Sequence, residues 1–336
     1  MKLLYVSCHQ ILEYDEVKLF HELGIDVFST GSYACPWFRE GMLRPGIEGL
    51  THYPELERHA STYMSSGCSL SQELIDWADT IMFMHQPEAL EKNWHKMKGK
   101  RVIFRSIGQC VQHQEEILSI LKDEGLEIVR YSPMESRIPS YAGQDALIRF
   151  YKDPEEFSGY TGHIEQVVNF TQSVVQRKKH THFAEMKEIM QGLPAKIYGT
   201  DNENLHELDG GQKSYENLKQ ILRESRVYLY GGTWPAPYTL SFIEAMMTGI
   251  PIVAMGRRIA ESTNSASFEF YEIPYILTNQ VTGYVSDDTT YLRENVKFLL
   301  ENPLRAKEIG DLARKHAIQL FGKKNISRLW KDYLLH

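Results

Sequence analysis

RVYLYGGTWPAPYTLSFIEAMMTGIPIVAM, residues 226–255, carries the reading of this chain. An apolar run ends in Gly231-Gly232 and a proline-rich turn follows. A short segment of small and apolar residues then holds one glutamate, Glu244, before Gly249-Ile-Pro and a second β-branched run. Strand, glycine turn, helix, strand is the order of a parallel α/β unit, whose helices cross between neighbouring strands. Thr239 is placed to cap the helix with its hydroxyl. The N–H groups around Thr239, Leu240 and Ser241 suit phosphate, because the first turn of a helix leaves donors without intrahelical acceptors. Glu244 is the anomaly: burying even a neutral polar group without a partner costs about 2–7 kcal/mol. One turn beyond the cap, its two oxygens suit a vicinal diol such as ribose. The bland alternatives are a pairing with Arg257 or Arg258, and a Gly231-Gly232 that merely ends a strand.

The same alternation extends in both directions. KLLYVS (2–7), IDVFSTG (25–31), TIMFMH (80–85), RVIFRS (101–106) and LEIVRYS (126–132) read as strands. DEVKLFHELG, closed by Gly24, and EEILSILKDEG read as helices, with Tyr14 and Asp15 in a first turn that Asp15 caps. After KDPEEFSGYTGH (152–163) a second series begins: QVVNF, a helix over 180–191, AKIYGT, a helix near 214–224, RVYLYGG, IPIVAM and PYILTN. Residues 31–70 are rich in turn formers and read as a long functional or covering loop, with Tyr33, Trp37 and Phe38 either stacking on a bound sugar or base or covering a core edge. The tail from 290 onward is helical in period. The fold class is therefore α/β with two doubly wound, Rossmann-like domains whose strand ends face a cleft.

Gross composition agrees. A chain of 336 residues exceeds one ordinary core and fits about two domains. With 37 Lys and Arg against 44 Asp and Glu, the net charge of −7 argues against a chain-wide nucleic-acid or anionic-membrane surface. A local basic groove along Lys92, Lys96, Lys98, Lys100 and Arg101 stays open. Cys8, Cys35, Cys68 and Cys110 show no metal or CxxC spacing and read as reduced thiols. MKLLYVSC is too short an apolar run for a signal peptide, and nothing approaches the roughly 20 residues of a membrane helix, so a cytoplasmic protein is expected.

At IEAMMTGIPIV the chain resembles the signature of the GT-B glycosyltransferases, above all the retaining, nucleotide-sugar-dependent group. Their pattern is a glutamate, seven residues, a second glutamate, then Ala-Met-Ala-x-Gly-x-Pro-Val-Val. The likeness continues through NQVTGYVSDDTTYLRENVKFLLENPLRAKEIGDLARKHAIQLF and covers about residues 195–325. It implies an acceptor-side domain at 1–155, a nucleotide-sugar domain at 156–318, and a helix at 319–336 crossing back to brace the first domain. It also implies that Glu244 binds the donor ribose, while the first glutamate of the pattern falls at Ala236. Basic residues early in the second domain bind the diphosphate in this family; Arg177, Lys178 and Lys179 are the candidates, with a solvated basic run over Lys178-Lys179-His180 as the bland alternative, Arg149 is a further candidate, and Gly232 lies in the phosphate turn. No metal and no cofactor beyond the nucleoside-diphosphate sugar is implied, since helix dipole and cations neutralise the leaving group. Asp287-Asp288 reads as a helix start, and Gly283 as a turn allowing backbone approach to the nucleotide.

His9 and His85 follow the first-domain strands at 2–7 and 80–85, where the cleft should open, and Arg105 stands where the family often has a histidine. These three are the catalytic candidates; each has a structural alternative, a hydrogen-bonded histidine or an ion-pair member. The expected reaction displaces a nucleoside diphosphate from the anomeric carbon by an acceptor hydroxyl, with retention. The acceptor is a glycan, a small molecule or modified DNA, and no stable membrane insertion is expected, although the basic terminal helix with Trp330 and Tyr333 also admits a membrane-surface reading. Alternatives are a phage-type DNA glycosyltransferase, a nucleotide-sugar-binding protein without transfer, and a sugar-nucleotide epimerase.

Overall fold

The structure, a computed structural model, describes residues 1–34, 44–108, 111–263 and 268–335. Trp37, Phe38, Cys35 and Cys110 lie outside the described residues. The chain divides into two compact units, Met1–Phe150 with Ile326–His336, and Tyr151–Asn325.

In the first unit six parallel strands, β1 (Lys2–Val6), β2 (Asp26–Ser29), β3 (Thr80–Met84), β4 (Arg101–Arg105), β5 (Glu127–Arg130) and β6 (Ala146–Leu147), lie in the order β2-β1-β3-β4-β5-β6. All five residues of β3, TIMFM, are buried. A parallel strand covered on both faces reads as a continuous apolar run rather than an alternating one, which is why this segment was legible. The second unit repeats the plan with β7 (Ile164–Phe170), β8 (Ala195–Tyr198), β9 (Asp209–Gly211), β10 (Ser225–Tyr230), β11 (Ile252–Met255) and β12 (Tyr284–Ser286), ordered β12-β11-β10-β7-β8-β9. One core of this unit joins Val167, Leu229, Val253 and Met255 to Leu292 and Val296 of the helix Thr289–Glu301.

In each sheet the strand order reverses at one place: between β1 and β3 in the first, and between β10 and β7 in the second. Crossover helices on either side of such a point leave the sheet on opposite faces, so a crevice opens beyond the strand carboxyl ends.

Several elements differ from the sequence expectation. PYILTN forms no strand: Pro274 lacks an N–H for a ladder and instead sits in the first turn of the helix Ile273–Ile276, and the sheet edge is β12. The first helix starts at Gln10, capped by His9, so Asp15 lies inside it rather than at its cap. The helix expected over 180–191 is two, Lys178–Thr181 and Phe183–Met190, broken where His182 takes a left-handed φ of 53°. Part of the supposed 31–70 loop is the helix Pro54–Ala60. Gly283 serves contact within the sheet: a Cβ there would stand 2.8 Å from the Ile252 carbonyl. The tail breaks into Thr289–Glu301, Pro303–Phe321 and Lys323–Leu335. Trp330, on the last of these, is fully buried in the first unit against Phe20, with ring centroids 5.2 Å apart.

Candidate functional site

The helix Leu240–Thr248 begins at the switch point of the second sheet, after β10. Its far end is set by Gly249, whose φ of 89° closes the helix. There the backbone of the helix Pro303–Phe321 comes so close that a Cβ on Gly310 would stand 1.9 Å from the Gly249 carbonyl oxygen. The Thr-Gly of the motif is thus a packing device that fixes the helix against the tail. At the near end Gly231 plays a similar part: a Cβ would meet Met186 Sδ at 2.9 Å and the Thr181 carbonyl at 3.0 Å. The Trp234 N–H donates to the His180 carbonyl at 2.8 Å. The turn after β10 and the segment Arg177–Thr181 after β7 are therefore bound to each other, with Arg177 and Lys178 both exposed beside it.

Thr239 occupies the N-cap position, but its hydroxyl does not cap the helix. It pairs instead with Ser241 Oγ at 3.0 Å, and the Thr239 N–H donates to the Tyr230 hydroxyl at 3.1 Å. The N–H groups of Leu240, Ser241 and Phe242 find no acceptor among the described residues, the first helical bond being Ile243 N–H to the Thr239 carbonyl at 3.4 Å. Such a set of donors at the positive end of a helix favours an anion. Burial pushes the Tyr228 and Tyr230 hydroxyls well above their usual range, so both remain neutral phenols beside it.

Glu244 is 6% exposed, and its partner is neither arginine considered from the sequence. Arg257 pairs with Glu261 and Glu269, and Arg258 donates to the Asp287 carbonyl at 3.1 Å. Lys152 Nζ lies 2.8 Å from Glu244 Oε1, and Lys152 itself is 2% exposed. Sequence reading singled out Arg149 in ALIRFYKD and passed over the lysine three residues later. Nothing local to Lys152 marked it as that partner. Arg149 is half-buried and belongs to the first unit.

At the switch point of the first sheet, β1 and β3 pair with Val6 opposite Phe83, and Cys8 Sγ donates to the Met84 carbonyl at 3.2 Å. This brings the His9 and His85 segments to one strand end. His9 Nδ1 accepts the Leu12 N–H at 3.4 Å, an N-cap bond that assigns the proton of the neutral ring to Nε2, leaving that nitrogen a donor. Burial holds the His85 imidazole below its usual range, opposed by Glu88, so it is neutral at pH 7. Arg105 corrects the expectation of a catalytic role. It is fully buried, with Nη2 2.8 Å from Glu16 Oε1, Nη1 donating to the Ile148 carbonyl at 2.6 Å, and the rings of Phe150 and Trp330 on its guanidinium. It is the ion-pair member of the two readings. Asp288 caps its helix as expected, accepting from Thr290 and Tyr291 N–H.

No protein-family model and no curated protein matches the chain. Solved structures do match, end to end. The chain is similar to Anabaena Alr3699/HepE in complex with UDP-glucose, at 13% identity over 100% of this chain and 99% of that one, with a TM-score of 0.69. It is similar to sucrose-phosphate synthase from Thermosynechococcus elongatus at 13% identity, 100% and 99% coverage and a TM-score of 0.70. An alpha-glucosyltransferase in complex with UDP-glucose and DNA containing an abasic site matches at 10% identity, 100% and 99% coverage and a TM-score of 0.60. The fold is GT-B. In this GT-B chain no helix among the described residues is long and apolar enough to cross a membrane.

Proposed function

We propose that the protein is a glycosyltransferase that moves a sugar from a nucleoside-diphosphate sugar to an acceptor hydroxyl, with retention, in the cytoplasm and without a metal. One observation carries the reading: at the switch point of the second sheet, a helix start with three N–H groups that find no acceptor among the described residues is followed one turn later by the buried carboxylate of Glu244. Phosphate at the N–H groups and ribose at the carboxylate match a nucleoside diphosphate in order and in polarity. Arg177 and Lys178, on the segment bonded to the glycine turn, add the positive charge that a departing diphosphate needs. The whole-length likeness to structures solved with UDP-glucose, one of them an alpha-glucosyltransferase, supports the same donor class. At the switch point of the first sheet, His9, as an Nε2–H donor, and neutral His85 are proposed to bind sugar hydroxyls.

Incubation with a panel of nucleotide sugars, with and without candidate acceptors, tests this. Release of nucleoside diphosphate that rises with acceptor is expected. Binding without release identifies a protein that holds the donor but does not transfer it, the reading Ala236 motivates; conversion of the donor sugar without acceptor identifies an epimerase.

The duplex-modifying alternative rests on the likeness to the DNA-bound glucosyltransferase. The basic groove it was expected to use is largely committed elsewhere. Lys92 donates to the Gly67 carbonyl, Lys96 to the Leu70 carbonyl, Lys100 to the Ala78 carbonyl, and Arg101 to Glu127. A small or glycan acceptor is therefore favoured, and salt-dependent binding of duplex DNA would reverse that preference.

A further inference from the structure

The partner of Glu244 is held by main-chain bonds on both of its sides. The Lys152 N–H donates to the Phe321 carbonyl at 3.0 Å, and the Lys152 carbonyl accepts the Lys323 N–H at 3.2 Å, so the residue is clamped on both sides of Gly322 in a parallel bridge. Its ammonium lies 5.6 Å from the centroid of the Phe157 ring and 2.8 Å from Glu244 Oε1. A lysine is ordinarily a mobile point charge whose side-chain freedom is costly to remove. Here the main chain is fixed and the stem is buried, so the position of the charge is set before any ligand arrives.

A buried carboxylate without a counter-charge lowers its energy by turning toward water or by taking up a proton. Either change would spoil recognition of a diol, because only an ionised, correctly turned carboxylate accepts hydrogen bonds from two adjacent hydroxyls. Resting on the nucleotide-sugar reading above, we propose that Lys152 is the positioning residue of the donor site. It fixes the orientation of the Glu244 carboxylate and thereby gives the site its preference for a ribose over a deoxyribose. It acts through Glu244 and not by touching the reacting atoms.

The test is calorimetric binding of UDP and ADP, each beside its 2′-deoxy counterpart, to the full-length protein and to Lys152→Met and Lys152→Arg. The unaltered protein is expected to prefer the better ribonucleotide by about tenfold, the worth of one hydrogen bond of ordinary strength. In Lys152→Met the preference should shrink to about twofold or less. Lys152→Arg keeps the charge but presents a fork that engages both carboxylate oxygens, so it too should lose most of the preference, and it serves if the methionine variant does not fold. A residue that only stabilised the fold would weaken both nucleotides alike and leave their ratio unchanged; that outcome in a folded variant overturns the proposal while leaving the donor assignment standing. Failure of the unaltered protein to bind UDP, ADP, GDP, CDP or dTDP would overturn the donor reading, and this proposal with it.

Discussion

At the carboxyl ends of β4 and β5 in the first unit, Arg105 and Arg130 are wholly buried, each engaged by carboxylates of its own unit. After β7 and β10 in the second unit, Arg177 and Lys178 are exposed and three helix N–H groups find no acceptor among the described residues. Arg130 forms two bonds of 2.7 Å to Glu115 and lies 3.5 Å from Glu135. Glu13, 1% exposed, accepts the Ser32 N–H at 3.0 Å and the Ser32 hydroxyl at 2.7 Å. The first unit thus satisfies its strand-end charges internally, and the second leaves donors over. One sheet plan yields a self-neutralised scaffold in one case and the proposed anion site in the other, the difference lying in which residues follow the strands.

The contrast can be broken most forcefully in the first unit. Arg105→Met leaves Glu16 without its buried counter-ion and should cost about 3–5 kcal/mol in urea unfolding. A loss under about 1 kcal/mol would mean that the pair is dispensable, as surface pairs are. Next in size, Glu244→Gln keeps the shape but removes the charge, and should weaken nucleoside diphosphate binding about tenfold or more. Unchanged affinity in titration calorimetry would remove Glu244 from the site. Arg177→Ala and Lys178→Ala should each lower that affinity by about three- to fivefold, an effect that fades with added salt, while leaving the unfolding midpoint where it is. Loss of stability instead would place these side chains on the scaffold side of the comparison.

The smallest effect concerns pH. Burial lowers the affinity of His85 and of His182 for a proton in the folded state. Below about pH 6.5 the unfolded chain binds protons that the folded one does not, so stability is full at neutral pH and declines as the pH falls through that value. His85→Gln should flatten part of this decline, read as a smaller difference between urea midpoints at pH 7.5 and pH 5.5. An unchanged difference would show that the imidazole is not desolvated.

Strands buried on both faces announced themselves as apolar runs, and the glycine turn, the small-residue helix and Gly-Ile-Pro marked the switch-point helix, because these features follow from local geometry. What failed was local reasoning applied to residues whose surroundings come from elsewhere. Thr239 has the chemistry of a cap, yet Ser241 captures its hydroxyl. Arg105 ends a strand as a site residue would, yet Glu16 and Trp330, from opposite ends of the chain, enclose it. PYILTN has the hydropathy of a strand, but its proline could not serve the ladder.

The sequence by itself determined the doubly wound alternation, the place of the candidate anion site and the need for a partner to Glu244, since periodicity, turn chemistry and the cost of a buried charge are properties of short segments. The tertiary structure decided that Lys152 is that partner, that Arg105 belongs to the scaffold, and that the Leu240, Ser241 and Phe242 N–H groups find no acceptor among the described residues. Ion pairs and unused donors depend on which distant segments meet, and no local pattern records that meeting.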